Sequence, residues 1–191
     1  PFKLHNDTCG VLLFHNTCLK SGPSFVIQPA NETVTDIWSR NNLFFGAGDA
    51  ALPTSGRMIR CNFDDVCFGG FGKPFSVWNN KTYKSPDEAK AGGVIYKDQG
   101  VILVEPKTCF AGGLLPPADP KVVYKAEDLD FRLKEGSGAI DKGVVLANFN
   151  DGFAGKAPDL GALELGAPLP HYGPRPVERA ADLDKIVTKA P

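Results

Sequence analysis

The stretch "DFRLKEGSGAIDKG" (residues 130–143) decides how this chain is read. Phe131 and Leu133 alternate with Arg132 and Lys134, so on extended backbone the apolar pair, joined later by Ile140, faces inward while the charges face out. Gly136, Gly138 and Gly143 then forbid a helix or a long strand. A segment of this kind lays apolar side chains over a core while turning sharply.

Working back from it, "LLFHNTCL" (residues 12–19) and "DIWSRNNLFF" (residues 36–45) share one pattern: apolar residues, a polar pair containing Asn, then apolar residues again. Asn16 and Asn41 are 25 residues apart, and a repeat of roughly 20–30 residues built from short strands and polar corners predicts a solenoid. Asn suits such corners because it accepts left-handed backbone angles and bonds its own backbone. Past Phe45 come a loop, a strand over residues 57–63, and a glycine-rich excursion that ends in a hairpin turning at Asn79 and Asn80. "SPDEAKAGG" predicts a short helix near residues 86–91, with Ser85 as N-cap, Pro86 at the first position, Glu88 closing a capping box and Gly92 as the stop. "GVILVEP" (residues 100–106) reads as a buried strand. "APDLGALELG" (residues 157–166) reads as a last short strand, and residues 177–188 as a tail helix.

Bulk composition agrees with a turn-rich β protein. Of 191 residues, 21 are Gly and 16 Pro, and a hydrophobic fraction of 42% suffices for a core. A formal charge of −1 argues against nucleic acid as a partner. No apolar run nears the ~20 residues of a membrane span. The chain opens on Pro1, which suggests a cleaved product with sequence upstream of it. Five cysteines contain no C-x-x-C pair, which sets aside zinc-ribbon and thioredoxin readings. Cys61 and Cys67 flank a turn-like segment and are a disulfide candidate, the alternative being five small buried apolar residues.

"FSVWNNKTYKSPDEAKAGGVIYKDQGVILVEP" (residues 75–106), followed by the opening stretch and "PDLGALELG" (residues 158–166), resembles the C-terminal region of bacterial right-handed parallel β-helix repeat proteins, an architecture shared with pectate lyase-like polysaccharide lyases. The resemblance implies an all-β fold: coils over residues 1–110 with an excursion at 46–92, a cap over 111–176, and a tail over 177–191. It implies that Ile140, Leu160 and Leu163 plug the open end of the coil. Where the family usually has proline, this chain has Gly138. The fold itself carries lyases, hydrolases, esterases and fibres alike, so it does not name a chemistry.

Asp64 and Asp65 are adjacent and converge on one sugar only from within a loop, the alternative being solvated turn residues. Asp128 and Asp130 sit beside the cap and are expected to hold a turn. Arg57 and Arg60 have opposite parity on a strand and do not form a pair, and His15 next to Asn16 is expected to make a hydrogen bond at a corner. "NFNDGF" (residues 148–153) lacks the alternating carboxylates and closing glutamate of a calcium loop. Aromatics between residues 63 and 83, among them Phe71, Trp78 and Tyr83, offer flat faces for sugar rings or else cover one side of the fold. Asn6, Asn31 and Asn80 each begin an N-glycosylation acceptor.

The expectation is therefore a secreted or cell-surface protein segment. It is either part of a carbohydrate-binding or carbohydrate-active protein, of polysaccharide lyase or glycoside hydrolase type with catalytic coils upstream, or a non-catalytic structural, adhesive or filament-forming protein. Its expected partners are a polysaccharide or glycan and, against residues 1–13, upstream polypeptide or another chain. No catalytic residue, metal ligand or cofactor is assigned, and calcium would enter only with an upstream lyase site.

Overall fold

The computed structural model describes residues 2–22, 25–28, 33–46, 50–51, 57–63, 66–69, 76–78, 81–92 and 101–170. Its strands are short. In chain order they are β1 (Phe2–His5), β2 (Cys9–Phe14), β3 (Thr17–Lys20), β4 (Phe25–Gln28), β5 (Thr33–Arg40), β6 (Asn42–Gly46), β7 (Ala50–Ala51), β8 (Arg57–Ile59), β9 (Asn62–Phe63), β10 (Val66–Gly69), β11 (Ser76–Trp78), β12 (Lys81–Tyr83) and β13 (Val101–Leu103). Parallel pairing joins β1 to β4, orders β2-β5-β8 with β9 also on β5, and orders β3-β6-β10-β13. A further sheet runs β7-β11-β12, where β12 folds back antiparallel on β11.

The right-handed parallel β-helix expected from the sequence is corrected by this topology. The described strands make separate short sheets of two to four strands, none of which closes or continues as a solenoid. The physical reason lies in the register. Phe2 faces Phe25, an offset of 23, whereas Val66 faces Val101, an offset of 35, so successive segments do not superimpose on one repeat. The β11–β12 hairpin reverses the chain, and among the described residues no strand follows Leu103.

Left-handed residues set the bends between strands. Gly10 (φ 70), Asp36 (φ 55) and Arg60 (φ 53) stack in neighbouring strands, and His15 (φ 52) stacks on Asn41 (φ 56). Thr17 faces Leu43, so the register partner of Asn16 is Asn42 and not the expected Asn41. Asn42 Oδ1 accepts from the backbone N–H of Asn16 at 2.9 Å and from its side-chain amide at 2.8 Å. The sequence comparison was off by one residue, which in a strand moves a side chain to the other face.

Helix α1 (Pro86–Ala91) matches expectation: Ser85 Oγ accepts from Glu88 N at 3.2 Å, and Gly92 caps the end. The Glu88 carboxylate reaches one residue further back than a simple capping box, to Lys84 N at 2.7 Å.

Residues 104–170 then cover the sheets. Leu43 and Phe45 of β6 pack with Val104, Cys109, Phe110, Leu133, Ala139 and Leu160 in one buried cluster. The Phe45 and Phe110 rings meet edge to face at 5.6 Å, as do Phe110 and Phe131 at 5.9 Å. Leu133 is buried while Arg132 and Lys134 are exposed, as the alternation predicts. Of the expected plug, Leu160 is fully buried and Ile140 borders the cluster, but Leu163 is only half-buried and Leu165 packs there instead. The last strand expected over residues 157–166 is also corrected. Gly161 at φ 96 and a set of carboxylate-to-backbone bonds make this stretch a series of turns. The tail helix lies outside the described residues.

Candidate functional site

Most sugar-contact candidates read from the sequence do not assemble into a site. Asp64, Asp65 and Phe71 lie outside the described residues, as do Asn31 and Asn80, and Trp78 is described only as the end of β11. Tyr83 is corrected: it is 5% exposed and packed against α1, so its ring covers the fold and is not a platform. The Cys61–Cys67 disulfide is corrected too. Cys61 is a free, buried thiol whose Sγ lies 3.6 Å from Val34 O and 3.5 Å from Ile59 O. Burial pushes the Cys18 and Cys109 thiols up to about 11, which leaves them unreactive. Asn6 is exposed, in a left-handed turn. Asp130 holds Arg132 through paired bonds of 2.8 and 2.7 Å, which together hold its carboxyl at about 2. Arg60 is paired with Asp36 through two bonds of 2.5 Å.

A different surface brings aromatic side chains together. In β2 and β5, Leu13, Ile37 and Ser39 are buried, so Leu12, Phe14, Trp38 and Arg40 share the outer face. Leu12 faces Trp38 and Phe14 faces Arg40 in the ladder. Leu12 is 59% exposed and Trp38 49%, and the Arg40 guanidinium carbon stands 5.4 Å from the Trp38 ring centre. Below Trp38 in register sits Asn62, whose Oδ1 is buried and accepts no hydrogen bond.

This face runs on into an open hollow of about 470 Å³. Phe14 meets Phe149 edge to face at 5.1 Å, and both line the hollow with Phe153, Asn150, His15 and Glu164. Phe149 is 64% exposed although it is a large apolar ring. The surface thus joins a half-exposed indole to an aromatic-walled hollow that also carries an amide, an imidazole and a carboxylate.

The polar groups of the hollow are tied into the protein itself. His15 Nδ1 lies 3.0 Å from Gly161 O, and its Nε2 lies 3.0 Å from Asn41 Nδ2 and 2.8 Å from Asn150 Nδ2. Burial lowers the His15 pKa, against smaller upward pulls from the Gly161 carbonyl and Asp159. Glu164 accepts from Ala154 N at 3.1 Å and Asp159 N at 3.0 Å, and burial raises its pKa above the usual range. Outside the hollow, Asp141 accepts from Lys156 N at 2.7 Å and Ala157 N at 3.2 Å, and these bonds lower its pKa.

A second, larger cleft of about 910 Å³ lies between residues 132–135 and 162–170, with Arg132, Lys134, Glu135 and Glu164 on its walls. Among the described residues no group of three or more His, Cys, Asp or Glu is placed to hold a metal ion, and no helix is long and apolar enough to cross a membrane.

One signal for the outer face was present in the sequence: in "DIWSR" (residues 36–40), Trp38 sits at the polar positions of an alternating strand. The Phe14–Phe149 contact had no local signal, since 135 residues separate the two rings. No family model matches this chain, and neither does any curated protein or solved structure.

Proposed function

We propose that the chain is a carbohydrate-binding segment of a secreted or cell-surface protein, and that sugar rings lie along the outer face of β2 and β5. The observation that carries this reading is Trp38: a half-exposed indole on a flat parallel face, flanked by Leu12 and Arg40 and continuous with the Phe14–Phe149 hollow. The Arg40 guanidinium beside the ring donates to Ser39 O at 2.8 Å, which holds it over the indole. The Phe14, Phe149 and Phe153 rings of the hollow support this reading, whereas its imidazole and its carboxylate are engaged by backbone and amide partners.

Calorimetric titration with uronate oligosaccharides and neutral glycans tests this. Saturable binding that Trp38→Ala weakens by about tenfold or more, roughly 1.4 kcal/mol, is expected, with the urea midpoint unchanged. Absence of binding to every glycan, or equal binding by Trp38→Ala, overturns it.

A second reading, that of a structural or adhesive protein, draws on the edges. Among the described residues β1, β2 and β3 each pair on one side only, and Leu12 stands on that edge. Concentration-dependent self-association abolished by Leu12→Lys, with no glycan binding, would favour it.

A further inference from the structure

The His15 cluster joins the strands to the covering segment, and its hydrogen-bond directions can be worked out atom by atom. Asn41 Oδ1 accepts from Val144 N at 2.8 Å, and Asn41 Nδ2 donates to Val144 O at 2.7 Å. Asn150 Oδ1 accepts from Leu146 N at 2.7 Å, and Asn150 Nδ2 donates to Val144 O at 3.0 Å. Backbone groups therefore fix which end of each amide is nitrogen. Both amide nitrogens face His15 Nε2, so Nε2 is the acceptor of two N–H bonds, and Nδ1 carries the proton it donates to Gly161 O. The imidazole is neutral in this arrangement.

We propose that His15 is a pH-sensitive lock that holds residues 144–161 on the β-strands when neutral and releases them when it is protonated. A proton on Nε2 would face two N–H donors at once. Turning either amide to offer its oxygen would break that amide's bonds to Val144 or to Leu146, so the cluster cannot adapt locally. Asn41 also accepts, through its backbone carbonyl, from Gly161 N at 2.8 Å, so loss of the amide network strips the same junction from both sides.

The charged groups on the packed elements include Asp159 and Glu164 on the 157–165 stretch, Asp141, Lys142 and Lys156 in and beside the covering segment, Asp151 next to Asn150, and Arg40 next to Asn41. Asp159 pulls the imidazole toward its charged form, but its carboxylate is engaged by the backbone of Asp141 and Leu165, at 2.8 and 2.7 Å. Asp151 accepts from Asn148 N at 2.9 Å. Burial outweighs the upward pulls of the Gly161 carbonyl and Asp159, so the proton arrives only below the ordinary histidine range. The folded state then binds fewer protons than the unfolded chain. The lock is intact above about pH 6.5 and weakens progressively as pH falls below that value. His15 and Asn150 also line the hollow, so release would reshape it whatever it binds.

The test is hydrogen exchange of the intact chain between pH 7.5 and 5.0, corrected for intrinsic exchange rates, with His15→Asn as the reference. Asn tolerates the left-handed backbone at this position. Protection of residues 144–161 is expected to fall at least tenfold across this range in the native chain and to stay flat in His15→Asn. Replacing His5 and His171 by Asn is expected to leave the transition in place. Unchanged protection in the native chain overturns the proposal. So does an equal loss in His15→Asn, which would assign it to a carboxylate whose pKa folding lowers, such as Asp141. Should His15→Asn fail to fold, nitrogen chemical shifts of the native imidazole decide: a proton on Nδ1 at pH 7.5 is expected, and a proton on Nε2 overturns the lock.

Discussion

The Nε2 atom of His15 and the side-chain nitrogen of Asn150 lie 2.8 Å apart, although 135 residues separate them in the chain. With Asn41, which sits beside His15 in the strand ladder, they pin the covering segment to the sheets. The contact is polar and part-buried, next to the Phe14–Phe149 ring contact.

Truncating the amides tests how much the junction holds. Asn41 is fully buried and bonds Val144 through both amide atoms, so Asn41→Ala leaves the Val144 N–H unpaired, while Val144 O keeps only its bond from Asn150 Nδ2. A loss of about 3 kcal/mol is expected for Asn41→Ala and about 1–2 for Asn150→Ala. The double variant should lose less than their sum, since both share His15 and Val144. Urea unfolding of the set provides the measurement, and strict additivity would mean that the two amides act independently.

Gly143 passes so close to this junction that it admits no side chain. A Cβ there would lie 2.9 Å from Pro158 O and 3.0 Å from Asn41 Oδ1. Gly143→Ala is expected to destabilise by about 1–3 kcal/mol, because the neighbours on both sides are already bonded. Gly152→Ala, where a Cβ meets open space, is the matched control and should change stability by less than about 0.5 kcal/mol.

Asp130 and Arg132 make the clearest acid-range prediction. Hydrogen bonds from Arg132 hold the Asp130 carboxyl at about 2, below the ordinary 3.8. The sign is that of a depressed carboxylate: its contribution is present above about pH 4 and is lost as pH falls toward 2. In Arg132→Gln, which keeps the backbone N–H bond, the carboxyl is expected to titrate above about 2 but still below 3.8, read by carbon chemical shift against pH. An unmoved titration would assign the shift to the backbone N–H of Arg132, which bonds the same carboxylate at 3.1 Å.

Local features were the legible ones. The ends of α1 follow from Ser85, Pro86, Glu88 and Gly92, because a cap is a contact between residues a few positions apart. The inward set Phe131 and Leu133 follows from simple alternation, as does the strand "DIWSR" that carries Trp38 on its outer face. The comparison of corner asparagines found the right neighbourhood and the wrong partner. Asn16 meets Asn42, and the residue beside Asn41 is His15, because ladder register is set by pairing across strands and not by letters that happen to match.

What the sequence by itself determined was short β-structure with glycine-turned connections, a capped helix, and a cover rich in apolar side chains. Tertiary structure alone decided that the strands form separate short parallel sheets, since offsets that vary between 23 and 35 residues depend on how long each connection is when folded. It alone decided that Tyr83 is covered. It alone brought His15 to Asn150 and Phe14 to Phe149. Contacts across more than a hundred residues leave no periodic trace in the chain; they exist only once packing of the apolar cluster around Leu43, Phe110 and Leu160 has closed the intervening loop.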